Sequence, residues 1–185
     1  MTCTERWKKM NLANKLTVSR VVMIPVFLVV ILCDFFEPDT ARLIGVAIFI
    51  IASITDFLDG YIARSRNLVT NFGKFMDPLA DKLLVAAALI SMVELGDVSA
   101  WVVIVIISRE FIITGFRLIA VEANVVIAAS NWGKLKTVSQ MVMIIVVLSG
   151  ILGNSIICDV LIYLSTVLTV VSGVDYVAKN LKVLR

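Results

Sequence analysis

The sequence contains no histidine. Imidazole-based zinc chemistry and Ser-His or Cys-His nucleophilic pairs are therefore excluded. Cysteine is scarce, and Cys3, Cys33 and Cys158 lack the paired spacing of a metal site. There is no glycine-rich phosphate loop, internal repeat or low-complexity tract. Charge is thin as well, at 17% of the residues.

Apolar residues take up the remainder. They make up 60% of the 185 residues, with a mean hydropathy of +1.01. Soluble domains are typically about half apolar, so this excess points to a membrane protein. A bilayer-spanning helix needs roughly 18 or more apolar residues. Six segments meet that need, at about 17–36, 41–62, 76–95, 98–120, 131–153 and 155–178. Their connections are too short for a separate soluble domain. The expected fold is an all-α bundle of six transmembrane helices, with residues 1–185 forming a single membrane domain.

Charge orients the bundle. Of the 17 Lys and Arg, only Arg42 lies on the side holding Asp34, Glu37, Asp39, Glu94, Asp97 and Asp159. Apart from Arg109 inside the fourth span, the others gather toward the N-terminus, the 63–75 loop, the 117–136 segment and the C-terminus. Basic loops stay cytoplasmic, which places both termini inside the cell membrane's cytoplasmic face. The net +3 then signals topology and contact with anionic lipid heads, not nucleic acid. Residues 1–15 carry basic residues ahead of the first apolar run, yet no small-residue cleavage site follows it. A short interfacial helix anchored by Trp7 is expected there. Cys33 and Cys158 both fall near the outer face, where a disulfide or two separate thiols are open readings.

Four aspartates interrupt the apolar pattern in DFLDGYIARSRNLVTNFGKFMDPLAD. Asp56 and Asp59 are three apart at the cytoplasmic end of the second span, and so share a helix face. Asp77 and Asp81 are four apart at the start of the third. A loop of about ten residues would join the two helices as a hairpin and bring the pairs together. One carboxylate near a bilayer centre costs about 2.5–3.5 kcal/mol, and less toward the interface. Four together also repel, and Arg64 and Lys82 neutralise two at most. Bound cations resolve this better. Oxygen donors without His or Cys favour hard ions, hence two Mg²⁺ or Mn²⁺. The competing reading pairs the aspartates with basic residues or has them cap helix ends, with Asp77 capping the third helix and Pro78 at its first position.

Gly60 and Ala63 lie on the same side of the second helix as Asp56 and Asp59. Their small size admits a flat base or sugar, or alternatively close helix packing. Gly73 serves space or a turn. Arg109 sits mid-span, where an unpaired guanidinium is expensive. Arg117 lies about 80° round the helix and two turns nearer the cytoplasm. Lys134 and Lys136 open the fifth span from the same side. Arginine's fork and lysine's point charge suit a phosphate. Glu110 or an aspartate is the alternative partner for Arg109, and the lysines, about 200° apart, also serve as cytoplasmic markers.

The spacing Asp56-x2-Asp59-Gly60-x2-Ala63-Arg64-x8-Gly73-x3-Asp77-x3-Asp81 resembles the signature of the CDP-alcohol phosphotransferase family, all eight positions filled. NKLTVSR, SREFIITGFR, NWGKLKT and SGVDYVAKNL resemble its bacterial phosphatidylglycerophosphate synthase branch. That resemblance implies transfer of a phosphatidyl group from CDP-diacylglycerol to glycerol 3-phosphate, releasing CMP. It implies metal ligation by Asp56, Asp59, Asp77 and Asp81, with Asp81 also the candidate base. Gly60, Ala63, Arg64, Thr70 and Gly73 would lie about the CDP-diacylglycerol, and Arg109, Arg117, Lys134 and Lys136 about glycerol 3-phosphate. A homodimer is implied too. Another acceptor (inositol phosphate, serine or phosphatidylglycerol) is the rival within the family. A cation transporter is the rival outside it, but its carboxylates would be spread through the membrane depth rather than crowded at one end.

Overall fold

The computed structural model describes residues 12–65, 71–122, 131–153 and 155–180, and the side chains of 19–55, 79–120, 131–153 and 155–180 among them. The expected interfacial helix at 1–15 lies almost wholly outside these. Six α-helices and no strand occur among the described residues: α1 Leu12–Leu32, α2 Pro38–Ser65, α3 Asn71–Glu94, α4 Ala100–Glu122, α5 Asn131–Leu148 and α6 Ile156–Asn180. The all-helical expectation holds, and each helix lies on one of the six expected segments. The chain divides into two compact units, Met1–Ser91 and Met92–Arg185.

In the first unit α1 packs along α2. Arg20, Ile24, Phe27 and Ile31 recur every three or four residues and are buried on α1. Ala41, Val46, Phe49 and Ala52 are buried on α2. The backbones approach closely at Gly45. A methyl group there would collide with Ile31 Cδ1, stand 2.8 Å from Ile31 Cγ1 and 3.5 Å from Phe27 Cε2. Glycine permits this crossing as small residues do between membrane helices. The start of α2 is written locally. The Glu37 carbonyl accepts the first helical bond from Ala41 N–H at 2.9 Å, and Pro38 follows, where a missing N–H does no harm. Asp39 in the first turn complements the helix dipole.

The α3 helix ends through Gly96, whose φ of 77° lets its N–H reach the Val93 carbonyl at 3.0 Å. In the second unit α6 packs against both α4 and α5. Its buried stripe runs Cys158, Ile162, Ser165, Thr169, Ser172, Tyr176, one residue every three or four positions. Thr169 and Ser172 on it, and Thr166 beside it, bond back to their own helix: Thr166 to Ile162 O at 2.7 Å, Thr169 to Ser165 O at 2.7 Å, Ser172 to Thr169 O at 3.0 Å. These polar side chains are thereby buried without opening the backbone ladder, whereas the buried Ser165 Oγ has no partner among the described residues.

Two described helices, over Pro38–Thr55 and Ile156–Asn180, are long and apolar enough to cross a membrane. Only 28% and 33% of those stretches are buried, so most of their apolar surface faces outward, unlike the core helix of a soluble domain. Among the described residues, α1 contributes a shorter apolar stretch, Ser19–Leu32, and α4 and α5 are interrupted by charge. Arg109, Glu110 and Arg117 break the apolar run of α4. The 18-residue α5 opens with Lys134 and Lys136. Cys33 and Cys158 are both free thiols, exposed and buried respectively, so the disulfide reading is not met.

Candidate active site

The four aspartates fall on consecutive helices in the register their spacing requires. Asp56 and Asp59 lie in α2, which continues through Gly60, Ala63 and Arg64 to Ser65. Gly73, Asp77 and Asp81 lie in α3. Two expectations change. The helices run to Ser65 and from Asn71, further than the apolar pattern alone suggests, which leaves at most five residues, 66–70, for the loop expected to have about ten. Asp77 and Pro78 fall inside α3, which begins at Asn71, so Asp77 is not the cap of that helix. Thr70 and the hairpin turn lie outside the described residues, as do the side chains of Asp56, Asp59, Gly60, Ala63, Arg64, Gly73 and Asp77. Asp81 is half-buried. Among the described residues no group of three or more metal-type ligands gathers, so the proposed cage rests on side chains beyond them.

The second unit carries a polar cluster at fully described positions. Glu110 Oε1 accepts from Arg109 Nη1 at 2.8 Å and from Lys136 Nζ at 2.6 Å. Arg109 Nη2 donates to Ser172 Oγ at 3.0 Å. Two helices, α4 and α5, thus meet at one carboxylate, with α6 holding the far side of the guanidinium. Gly173 makes the fit possible, since a Cβ there would stand 3.0 Å from Arg109 Cγ. Two cations thus converge on one carboxylate in a half-buried setting. Charge-assisted donors of this kind suit an anion, above all a phosphate.

One turn along α5 from Lys136, Gln140 is also buried, and its Nε2 has no hydrogen-bond partner among the described residues; the same is true of Arg109 Nε. Arg117 lies exposed two turns along α4, its guanidinium carbon 5.7 Å from the centre of the Tyr176 ring. Its Nε donates to the Tyr176 hydroxyl at 3.4 Å. Phe116 meets the same ring edge-on at 6.4 Å.

Of the four cationic residues singled out from sequence, Arg109 and Lys136 come together and Arg117 sits beside Tyr176. Lys134 is exposed, whereas Lys136, two residues on, is 3% exposed. The 200° that separates them on a helix sends only one inward. Ser172 and Tyr176 lie in the SGVDYVAKNL segment but carry no assigned role there, Gln140 lies in no such motif, and Glu110 enters only as a partner for Arg109. A usable signal existed in the Ser165, Thr169, Ser172, Tyr176 spacing of α6, a polar stripe in an otherwise apolar helix.

Residues 10–171 match the CDP-alcohol phosphatidyltransferase family. The chain is 45% identical to a CDP-diacylglycerol–glycerol-3-phosphate 3-phosphatidyltransferase of Bacillus subtilis, the match covering 95% of this chain and 97% of that one. It is 39% identical to a protein of the same description from Rickettsia bellii, over 90% of this chain and 93% of that one. It is 44% identical to a probable phosphatidylglycerophosphate synthase of Mycobacterium tuberculosis, over 93% of this chain and 82% of that one.

Proposed function

Because the chain belongs to the CDP-alcohol phosphatidyltransferase family, we propose that it transfers the phosphatidyl group of CDP-diacylglycerol to glycerol 3-phosphate, forming phosphatidylglycerol phosphate and CMP. The observation that carries this reading is the near full-length match to relatives described by that reaction, together with an intact aspartate signature on two consecutive helices.

The donor's diphosphate falls to Asp56, Asp59, Asp77 and Asp81. Their chemistry fits a pair of hard divalent ions, Mg²⁺ or Mn²⁺: every donor is a carboxylate oxygen, and helical spacings of three and four put each pair on one face. Such ions, when bound, supply Lewis-acid polarisation of the phosphate and neutralise charge on the leaving group. Asp81 accepts the proton of the glycerol hydroxyl as that oxygen bonds to the phosphatidyl phosphorus. The bond from this phosphorus to the bridging diphosphate oxygen breaks, and CMP departs with the electron pair. Gly60, Ala63 and Gly73, with Arg64 and Thr70, leave room for and contact the cytidine end.

The acceptor's phosphate falls to Arg109 and Lys136, with Arg117 and Lys134 drawing it in from the cytoplasmic side. Support for the first two comes from their convergence on one carboxylate, which keeps both cations in place. The chain functions as one domain embedded in the cell membrane through six helices, both termini cytoplasmic, and pairs as a homodimer. Support for the embedding comes from the outward apolar faces of α2 and α6. The acyl tails stay in lipid.

The direct test is CMP release by purified protein from radiolabelled CDP-diacylglycerol, offered glycerol 3-phosphate, inositol phosphate, serine or phosphatidylglycerol in turn. Release that depends on glycerol 3-phosphate alone is expected. Release driven by another acceptor would reassign the substrate within the family, and none with any acceptor would overturn the reading.

A further inference from the structure

We infer that Glu110 is a positioning residue for the acceptor phosphate, holding the Arg109 guanidinium and the Lys136 ammonium together on one carboxylate oxygen. The inference rests on the acceptor reading above and deepens it. Three observations carry it. Glu110 Oε1 receives both cations at 2.8 and 2.6 Å. Lys136 is almost wholly buried, and an ammonium so placed requires an anionic neighbour. Arg109 is fixed from the other side by Ser172 Oγ at 3.0 Å, while Gly173 leaves its stem room to lie against α6.

The arrangement is a fork with its handle held. Arg109 uses one N–H at Glu110 and one at Ser172, and a guanidinium has five. Arg109 Nε is buried and has no partner among the described residues. Donors therefore remain on the guanidinium for a phosphate, while Glu110 sets its separation from the Lys136 ammonium. A cation held in place before the ligand arrives loses less freedom on binding, which is how a group that never touches the ligand sharpens affinity. A second possible role for the same carboxylate has the opposite signature. If Glu110 merely occupied the phosphate's place, its removal would strengthen acceptor binding by lifting a competing negative charge.

The variants Glu110→Gln, Glu110→Asp and Ser172→Ala separate these outcomes. Glu110→Gln keeps size and an acceptor oxygen but removes the charge. It is expected to raise the KM for glycerol 3-phosphate about tenfold, on the order seen when an orienting partner is lost, with the KM for CDP-diacylglycerol unmoved. Glu110→Asp should recover part of the loss. Ser172→Ala, which leaves the buried charges paired, should raise the acceptor KM a few-fold. A purely structural role would lower turnover with both substrates alike and leave their KM values in step, overturning the inference. A fall in acceptor KM for Glu110→Gln would also overturn it.

A readout independent of turnover is the rise in unfolding temperature of the detergent-solubilised protein on adding glycerol 3-phosphate or inorganic phosphate. The rise is expected in the wild type and Ser172→Ala, smaller in the latter, and absent in Glu110→Gln. If the wild type responds and Glu110→Gln does not, yet neither releases CMP, the proposed reaction fails while the role of Glu110 stands. An equal response in Glu110→Gln, or none in the wild type, defeats the positioning role.

Discussion

A single carboxylate in an apolar helix is costly, and the proposal that four of them share bound metal ions is tested residue by residue. Replacing Asp56, Asp59, Asp77 or Asp81 singly by Ala should lower turnover by at least about two orders of magnitude, the scale of losing one electrostatic stabiliser at a reacting phosphorus. Circular dichroism should show the helices intact. A variant that keeps near wild-type turnover would remove that residue from the site. Arg109 is the corresponding test on the acceptor side. Arg109→Ala should raise the KM for glycerol 3-phosphate at least tenfold, on the order of a lost charge-assisted bond. Arg109→Lys should restore only part, because an ammonium cannot bond Glu110 and Ser172 through one rigid plane. An unchanged acceptor KM in Arg109→Ala would exclude the guanidinium from phosphate binding.

Between elements, the contrast is between contact that admits no bulk and polarity that is locally satisfied. Gly45→Leu has to displace the Ile31 and Phe27 side chains of α1. It should destabilise the protein by about 1–3 kcal/mol, the usual range for overpacking. Thr169→Val removes a hydroxyl that already bonds to the Ser165 carbonyl of its own helix. Its effect should stay below about 1 kcal/mol, since no partner across a helix interface is left behind. Unfolding in mixed micelles, followed by helicity, measures both. Equal effects would mean that the α1–α2 crossing or the α6 stripe packs otherwise than described. The interruptions of α4 and α5 follow the same logic, because Arg109, Glu110 and Lys136 shorten the apolar run in each helix yet face one another.

For the whole protein, two measurements address metal and membrane. Chelation should abolish CMP release, and Mg²⁺ or Mn²⁺ should restore it where Zn²⁺ does not, because an all-oxygen set without His or Cys prefers hard ions. Recovery with Zn²⁺ alone would contradict the ligand assignment. The topology is read by cysteine labelling. On intact cells a membrane-impermeant maleimide should reach Cys33, which is exposed in the turn after α1. Cys3 should react only once the membrane is permeabilised, and buried Cys158 only on unfolding. Labelling of Cys3 from outside would invert the orientation drawn from the basic residues.

The six helices, their approximate limits and the aspartate register were legible in the chain, because apolar runs and spacings of three and four are local properties. The family was legible too, since its signature is a short contiguous pattern. Helix ends were less so: α3 starts early enough to enclose Asp77 and Pro78, a boundary that no apolar run marks. Tertiary structure alone decided which lysine turns inward, that Gly45 is the close crossing of α1 and α2, and that Arg109 rests on Ser172, 63 residues away. The reason is that a helix's own period gives relative angles along one element, whereas its absolute rotation is set by the neighbours it packs against. Burying Arg109 and Lys136 required an anion, and packing α4, α5 and α6 together brought Glu110 to both.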